Sequence, residues 1–154
     1  MDRNKRKVWV VVADASRARL FRAETPRGPL VELEDAVHSA ARLQDQELLS
    51  DRAGRAFDSQ GKHRHGMEAP TDPHDQEAQR FAHELAERLH VHHNAHDFDG
   101  LVLVAPPRFL GLLRGALDEQ VAKQVLASFD RDLTRIHTAA EVQSHLPDPI
   151  YTAI

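Results

Sequence analysis

The chain has 154 residues, 41% hydrophobic and 29% charged, with a formal net charge of −4 at pH 7 and no cysteine. That is the size and balance of one soluble globular domain with a core of its own. The missing thiols exclude disulfides, thiol catalysis and thiolate metal sites, and the negative balance excludes general nucleic-acid affinity, so any basic surface must be local.

The first element is predicted from Val8-Trp9-Val10-Val11-Val12, an unbroken β-branched and aromatic run of the kind found in strands buried on both faces. A basic stretch precedes it, as in a secretory signal, but the apolar run is too short and Asp14 and Arg17 follow at once. No segment reaches the ~20 apolar residues of a membrane span. The expectation is therefore a cytoplasmic protein without membrane partners.

Residues 18–23 form a second β-compatible segment, and Thr25-Pro26-Arg27-Gly28-Pro29 marks a turn. Leu30-Val31-Glu32-Leu33-Glu34 alternates apolar and charged residues, predicting a strand with one wet face. The three strands read as an antiparallel meander. Beyond Val37 the pattern dissolves; residues 40–49 are compatible with a short helix anchored by Leu43, Leu48 and Leu49.

Residues 51–73, DRAGRAFDSQGKHRHGMEAPTDP, follow neither period. Three glycines loosen the backbone. From position 52 to 66, Arg52, Arg55, Lys62 and Arg64 stand against Asp58 alone, a net of +3 before His63 and His65 are counted. A charged loop longer than about 15 residues in a small domain is usually functional or disordered. This is the predicted functional loop.

A helix start follows: Asp72 as N-cap, Pro73 at the first position and Asp75 at the positive end of the dipole. Phe81, Ala82, Leu85, Ala86 and Leu89 then share one face as far as about His93. Residues 101–105 give a second fully apolar strand, ended by Pro106-Pro107. A helix over 109–117 turns Leu110, Leu113 and Leu117 inward, with Phe109 pinning it to the core. A weaker helix over 118–123, a strand over 125–129 and a helix opened by the capping-box pair Thr138 and Glu141 complete the series. Residues 1–7 and 147–154 read as flexible ends of a single domain spanning 1–154. The predicted class is α/β, with a mixed sheet in the order β-β-β-α-β-α-β-α and a long basic loop before the main helix, a ribonuclease-H-like order.

Three blocks carry a resemblance: VVVADASRARLF from Val10, DR.GR.FDS.G...H.ME.PTDP from Asp51, and LVLVAPPRFLGLLR from Leu101. Together they resemble the bacterial proteins described as required for attachment to host cells, over nearly the whole chain to about Leu146. That name reflects a phenotype and implies no reaction. The resemblance further implies a distant relation to the middle domain of archaeal and eukaryotic peptide-chain release factors, in which a Gly-Gly-Gln loop enters the peptidyl-transferase centre. Here the loop reads Ser59-Gln60-Gly61-Lys62, so Gln60 is a catalytic candidate without that tripeptide, and peptidyl-tRNA hydrolysis is not expected.

The expected function is non-catalytic RNA or ribosome association, with rRNA or tRNA phosphates held by Arg52, Arg55, Lys62, His63, Arg64 and His65. Arg108, at the start of the 109–117 helix, is a further anion-binding candidate. A direct adhesin role fits poorly with the lack of an export signal. The alternative is a metal-dependent hydrolase of nuclease or esterase type, using Asp14 just past the first strand with loop residues. Glu77 or Glu84 would add ligands to it, and Asp130 and Asp132 follow the last strand. His63 and His65 are the metal candidates in the loop. His90, His92, His93 and His96 crowd the end of the main helix, with 92 and 96 at i, i+4 spacing, and read more simply as solvated residues favoured by the helix dipole. No resident cofactor is expected.

Overall fold

The computed structural model describes residues 6–34, 36–39 and 73–152. The predicted helix over 40–49, the loop over 51–72 and the N-cap Asp72 lie outside the described residues.

The apolar run at the start of the chain becomes β1 (Val8–Ala13), every residue of which is buried. Its odd and even positions serve different cores. Trp9, Val11 and Ala13 face one cluster, and Val8, Val10 and Val12 face the other. A strand with no wet face needs neighbours on both edges and cover on both sides, and β1 has all four. It pairs antiparallel with β2 (Arg17–Ala23) and parallel with β5 (Gly100–Val104). β5 in turn pairs parallel with β6 (Val125–Phe129). Among the described residues the sheet has six strands in the order β3-β2-β1-β5-β6, with β4 also on β2.

The expected wet-faced strand over 30–34 is shorter and differently faced. β3 is Leu30–Glu32, with Leu30 buried and Val31 38% exposed. The chain then breaks from the ladder, Leu33 N–H donating to the Leu20 carbonyl. It rejoins β2 as β4 (Val37–His38), a two-residue strand too short to have a period. β3 and β4 are thus two pieces of one interrupted edge. Leu30 joins the second core and Leu33 packs against the first, so alternation could not persist.

Helix α1 (Pro73–Asn94) carries the predicted buried face: Phe81, Ala82, Leu85, Ala86 and Leu89 are all at most 4% exposed. It supplies the crossover that two parallel strands require. α2 (Pro107–Ala116) packs beside it, and Phe109 stacks on Phe81 with ring centroids 5.7 Å apart. Phe109 and Leu113 are the buried anchors of α2, while Leu110 and Leu117 sit at the rim of the core. The short α3 (Glu119–Ala122) is capped by Asp118, whose carboxylate accepts from the Gln120 N–H.

The opposite face is covered by the C-terminal segment. Thr138 caps α4 (Ala139–Ser144) by accepting from the Glu141 N–H, as the motif predicted. Leu133, Val142, Leu146, Ile150 and Tyr151 close the second core. The expected flexible end at 147–154 is corrected over its described part. Ile150 and Tyr151 are 2% and 5% exposed, and the Ile150 N–H donates to the Pro26 carbonyl. The reason is local. Even positions of β1 need apolar cover, and no other described segment supplies it at that end. The molecule is a single α/β domain with a mixed sheet between two helical layers.

Candidate functional site

Because β1, β5 and β6 run parallel, their carboxyl ends share one edge of the sheet. In open α/β sheets this edge is where ligands gather. Asp14 lies there after β1, Pro106 and Pro107 after β5, and Asp130 to Asp132 after β6. Two further anchors converge on it. The Ser39 N–H donates to the Ser16 carbonyl at 2.8 Å, holding the chain just before residue 40 against the β1–β2 turn. At the other end Asp75, in the first turn of α1, forms an ion pair with Arg108 of α2 at 2.8 Å. The segment 40–72, which carries the basic run, therefore leaves and re-enters the described fold at this edge.

Asp14 is fully engaged. Its Oδ1 accepts from the Ser16 N–H at 2.9 Å, the Ser16 hydroxyl at 3.2 Å and the Arg17 N–H at 3.0 Å, closing the turn between β1 and β2. Its Oδ2 accepts from the Thr134 hydroxyl at 3.0 Å. Burial pushes the carboxyl up, but the hydrogen bonds from Ser16, Thr134 and Arg17 outweigh it and leave the pKa below its ordinary value. Thr134 is 2% exposed, and its hydroxyl also lies 2.9 Å from Asp132 Oδ1. Its one proton serves one carboxylate at a time. Asp132 Oδ1 also accepts from the Thr134 N–H.

Two arginines complete the cluster. Arg17 donates to the Thr134 carbonyl at 3.1 Å. Arg19, two residues on and so on the same face of β2, donates to the carbonyls of Thr134, Ile136 and His137. Its other side meets Glu32 in a two-bond fork at 2.9 Å each, and the guanidinium lies 5.2 Å from the centre of the Phe21 ring. The hydrogen bond from Glu32 holds the Arg19 pKa above its ordinary value. Five donors in a rigid fork suit a guanidinium, and no other side chain, to this clamp. The segment ADASRAR thus ties the β1–β2 hairpin to the chain that follows β6.

Neither Arg17, Arg19 nor Thr134 was picked out by sequence reasoning. The i, i+2 spacing of the arginines in a strand was an available signal; the backbone carbonyls they hold carry none.

The other candidates are distributed as follows. Arg108 is exposed, pairs with Asp75 and stands at the start of α2, whose Pro106 N-cap has no side-chain hydrogen bond. Arg52, Arg55, Gln60, Lys62, His63, Arg64 and His65 lie outside the described residues. Glu77 and Glu84 are not brought to Asp14: among the described residues no group of three or more His, Asp or Glu is arranged to hold a metal. The i, i+4 pair His92 and His96 is not formed on one helix side. α1 ends at Asn94, His96 adopts a left-handed φ of 62°, and His92 Nδ1 bonds instead to Asp97 Oδ2 at 2.7 Å.

The arrangement supports a docking edge more directly than a reaction centre. Its one half-buried carboxylate is spent on holding the fold, while its cations and the two ends of the basic segment face outward. Among the described residues no helix is long and apolar enough to cross a membrane. No curated protein matches the chain. The family model for proteins required for attachment to host cells matches residues 9–146, most of the sequence and all three blocks that carried the resemblance, and the protein belongs to that family.

Proposed function

We propose that this member of the host-attachment family is a non-catalytic binding module whose basic segment, residues 52–66, engages RNA on the ribosome. Attachment to host cells would then depend on it indirectly, through translation. The observation that carries this reading is the rooting of residues 40–72 at both ends on the carboxyl edge, by Ser39 on Ser16 and by Asp75 on Arg108. Four cationic side chains against one carboxylate make the segment the natural phosphate contact of an otherwise acidic protein. The strand order and the loop before the long helix fit the ribonuclease-H-like arrangement and the distant relation to release-factor middle domains. Full engagement of Asp14 favours binding over hydrolysis.

The test is co-sedimentation of the tagged protein with ribosomes at two salt concentrations. Co-migration should weaken steeply as salt rises, because each neutralised phosphate releases counterions. Arg52→Ala combined with Arg55→Ala should reduce the dependence of log K on log salt by roughly 0.7–0.9 for each arginine that neutralises a phosphate. Migration only with free protein at every salt concentration rules the reading out.

A further inference from the structure

Away from the carboxyl edge, α1 and the α2–α3 junction enclose an open groove of about 420 Å³ lined by Arg80, His83, Glu84, Glu87, His90 and Asp118, with Ala86 and Ala116 as its apolar part. A volume of this size is that of a small-ligand site. Three carboxylates face one guanidinium in it. Among the described residues Glu84 and Glu87 form no ion pair, although Arg80 stands one turn from Glu84. Unpaired charge is ordinary on a solvated helix, but here it lines a concavity that also holds an unsatisfied buried atom. His90 Nδ1 has no hydrogen-bond partner and faces Asp118 Oδ2 across 3.7 Å. That gap is too long for a hydrogen bond. It is wide enough for a third atom, an N–H donor able to reach both at normal distances.

We propose that this groove binds an extended aliphatic polyamine. The residues are spaced for one. Glu84, Glu87 and His90 follow each other at three-residue steps, about 4.5 Å of rise each, and Asp118 stands beside the last. Negative charge therefore runs in a line of roughly 9 Å, the reach of a chain whose ammonium groups are separated by three or four methylenes. One terminal ammonium sits between His90 Nδ1 and Asp118 Oδ2, further ones meet Glu87 and Glu84, and the methylenes pass over Ala86 and Ala116. The His90 ring is oriented for this by Asn94, whose amide lies 3.4 Å from Nε2. With the amide oxygen turned toward it, Nε2 keeps the proton and Nδ1 presents its lone pair. Arg80 ends the acidic line and sets the length that the groove accepts.

Isothermal titration of the full chain with spermidine tests this, read alongside the histidine ring signals in nitrogen-edited NMR. Saturable one-to-one binding is expected, with the His90 ring signal shifting. Affinity should fall by about tenfold or more for each carboxylate removed in Glu84→Gln, Glu87→Gln and Asp118→Asn; Asn at 118 keeps the cap on α3. The control pair Glu34→Gln with Asp130→Asn removes the same charge outside the groove and should leave affinity unchanged. Absence of saturable binding overturns the proposal, as does an equal loss in the control pair. Capture of an oligolysine peptide without spermidine binding also overturns it, and assigns the groove to a protein partner.

Discussion

Asp14 shows how much one half-buried side chain can organise when its oxygens are all used. It closes the β1–β2 turn through Ser16 and Arg17 and reaches Thr134, 120 residues away in the chain. Asp14→Ala strips acceptors from three donors at once and should cost about 1–3 kcal/mol, measured by urea unfolding at pH 7. The pH dependence follows from the lowered pKa. A carboxylate whose folded pKa is depressed contributes stability that is present above its unfolded pKa, near 4, and is lost as pH falls through the folded value. The gap between wild type and Asp14→Ala should accordingly narrow as pH drops below about 4. A gap constant down to pH 2 would show that the carboxylate charge plays no part. A functional rather than structural Asp14 would instead lower activity without moving the unfolding curve.

At the scale of elements, the contact that matters most for placing the carboxyl edge is α1 on α2. Phe81 and Phe109, 0% and 3% exposed, stack at the point where the two helices cross over β5. Their position sets the start of α2 beside the start of α1, and with it the Arg108–Asp75 pair. Phe81→Ala should cost about 3–5 kcal/mol through the cavity it leaves, seen as a lower urea midpoint. The Arg108–Asp75 pair itself, with Arg108 71% exposed, is worth little by comparison. If Phe81→Ala were neutral, the stacked pair could not be what holds the helices in register. Gly28 is the one described turn residue whose backbone, at φ 90°, calls for glycine. The Gln143 amide of α4 packs against it, spanning the Arg27 carbonyl and the Leu30 N–H.

For the whole molecule, the notable property is that one sheet serves two cores, each closed by a different part of the chain. α1 and α2 close the first and the C-terminal segment the second. Burial raises the Tyr151 phenol above its ordinary pKa, against a smaller opposing pull from Arg6, as expected of a residue seated in that second core. A chain ending at Leu146 loses Ile150 and Tyr151 and should be destabilised by at least about 3 kcal/mol, with Trp9, on the opposite face, reporting the unfolding by fluorescence. If that truncated chain unfolded at the wild-type midpoint, the docked tail would contribute nothing to the fold. The substitutions at Arg52 and Arg55 belong to the same scale from the opposite side, and should change binding while leaving the unfolding midpoint in place.

The strands and helices with strong periods were legible in the amino-acid sequence, because burial imposes the period directly. The run at Val8, the face from Phe81 to Leu89 and the Thr138–Glu141 cap each appear where the residues put them. So did the family, since its three blocks are local strings. What depended on partners distant in the chain was not legible. β4 exists only because β2 offers an open edge, the tail is ordered only because β1 needs cover on its second face, and Arg19 is a clamp only because three carbonyls of residues 134–137 fold against it. Asp14 is the plainest case. In sequence it is an acid after a strand, equally suited to a turn or a metal. The tertiary structure decided for the turn, by bringing the Thr134 hydroxyl to the oxygen that the turn had left open.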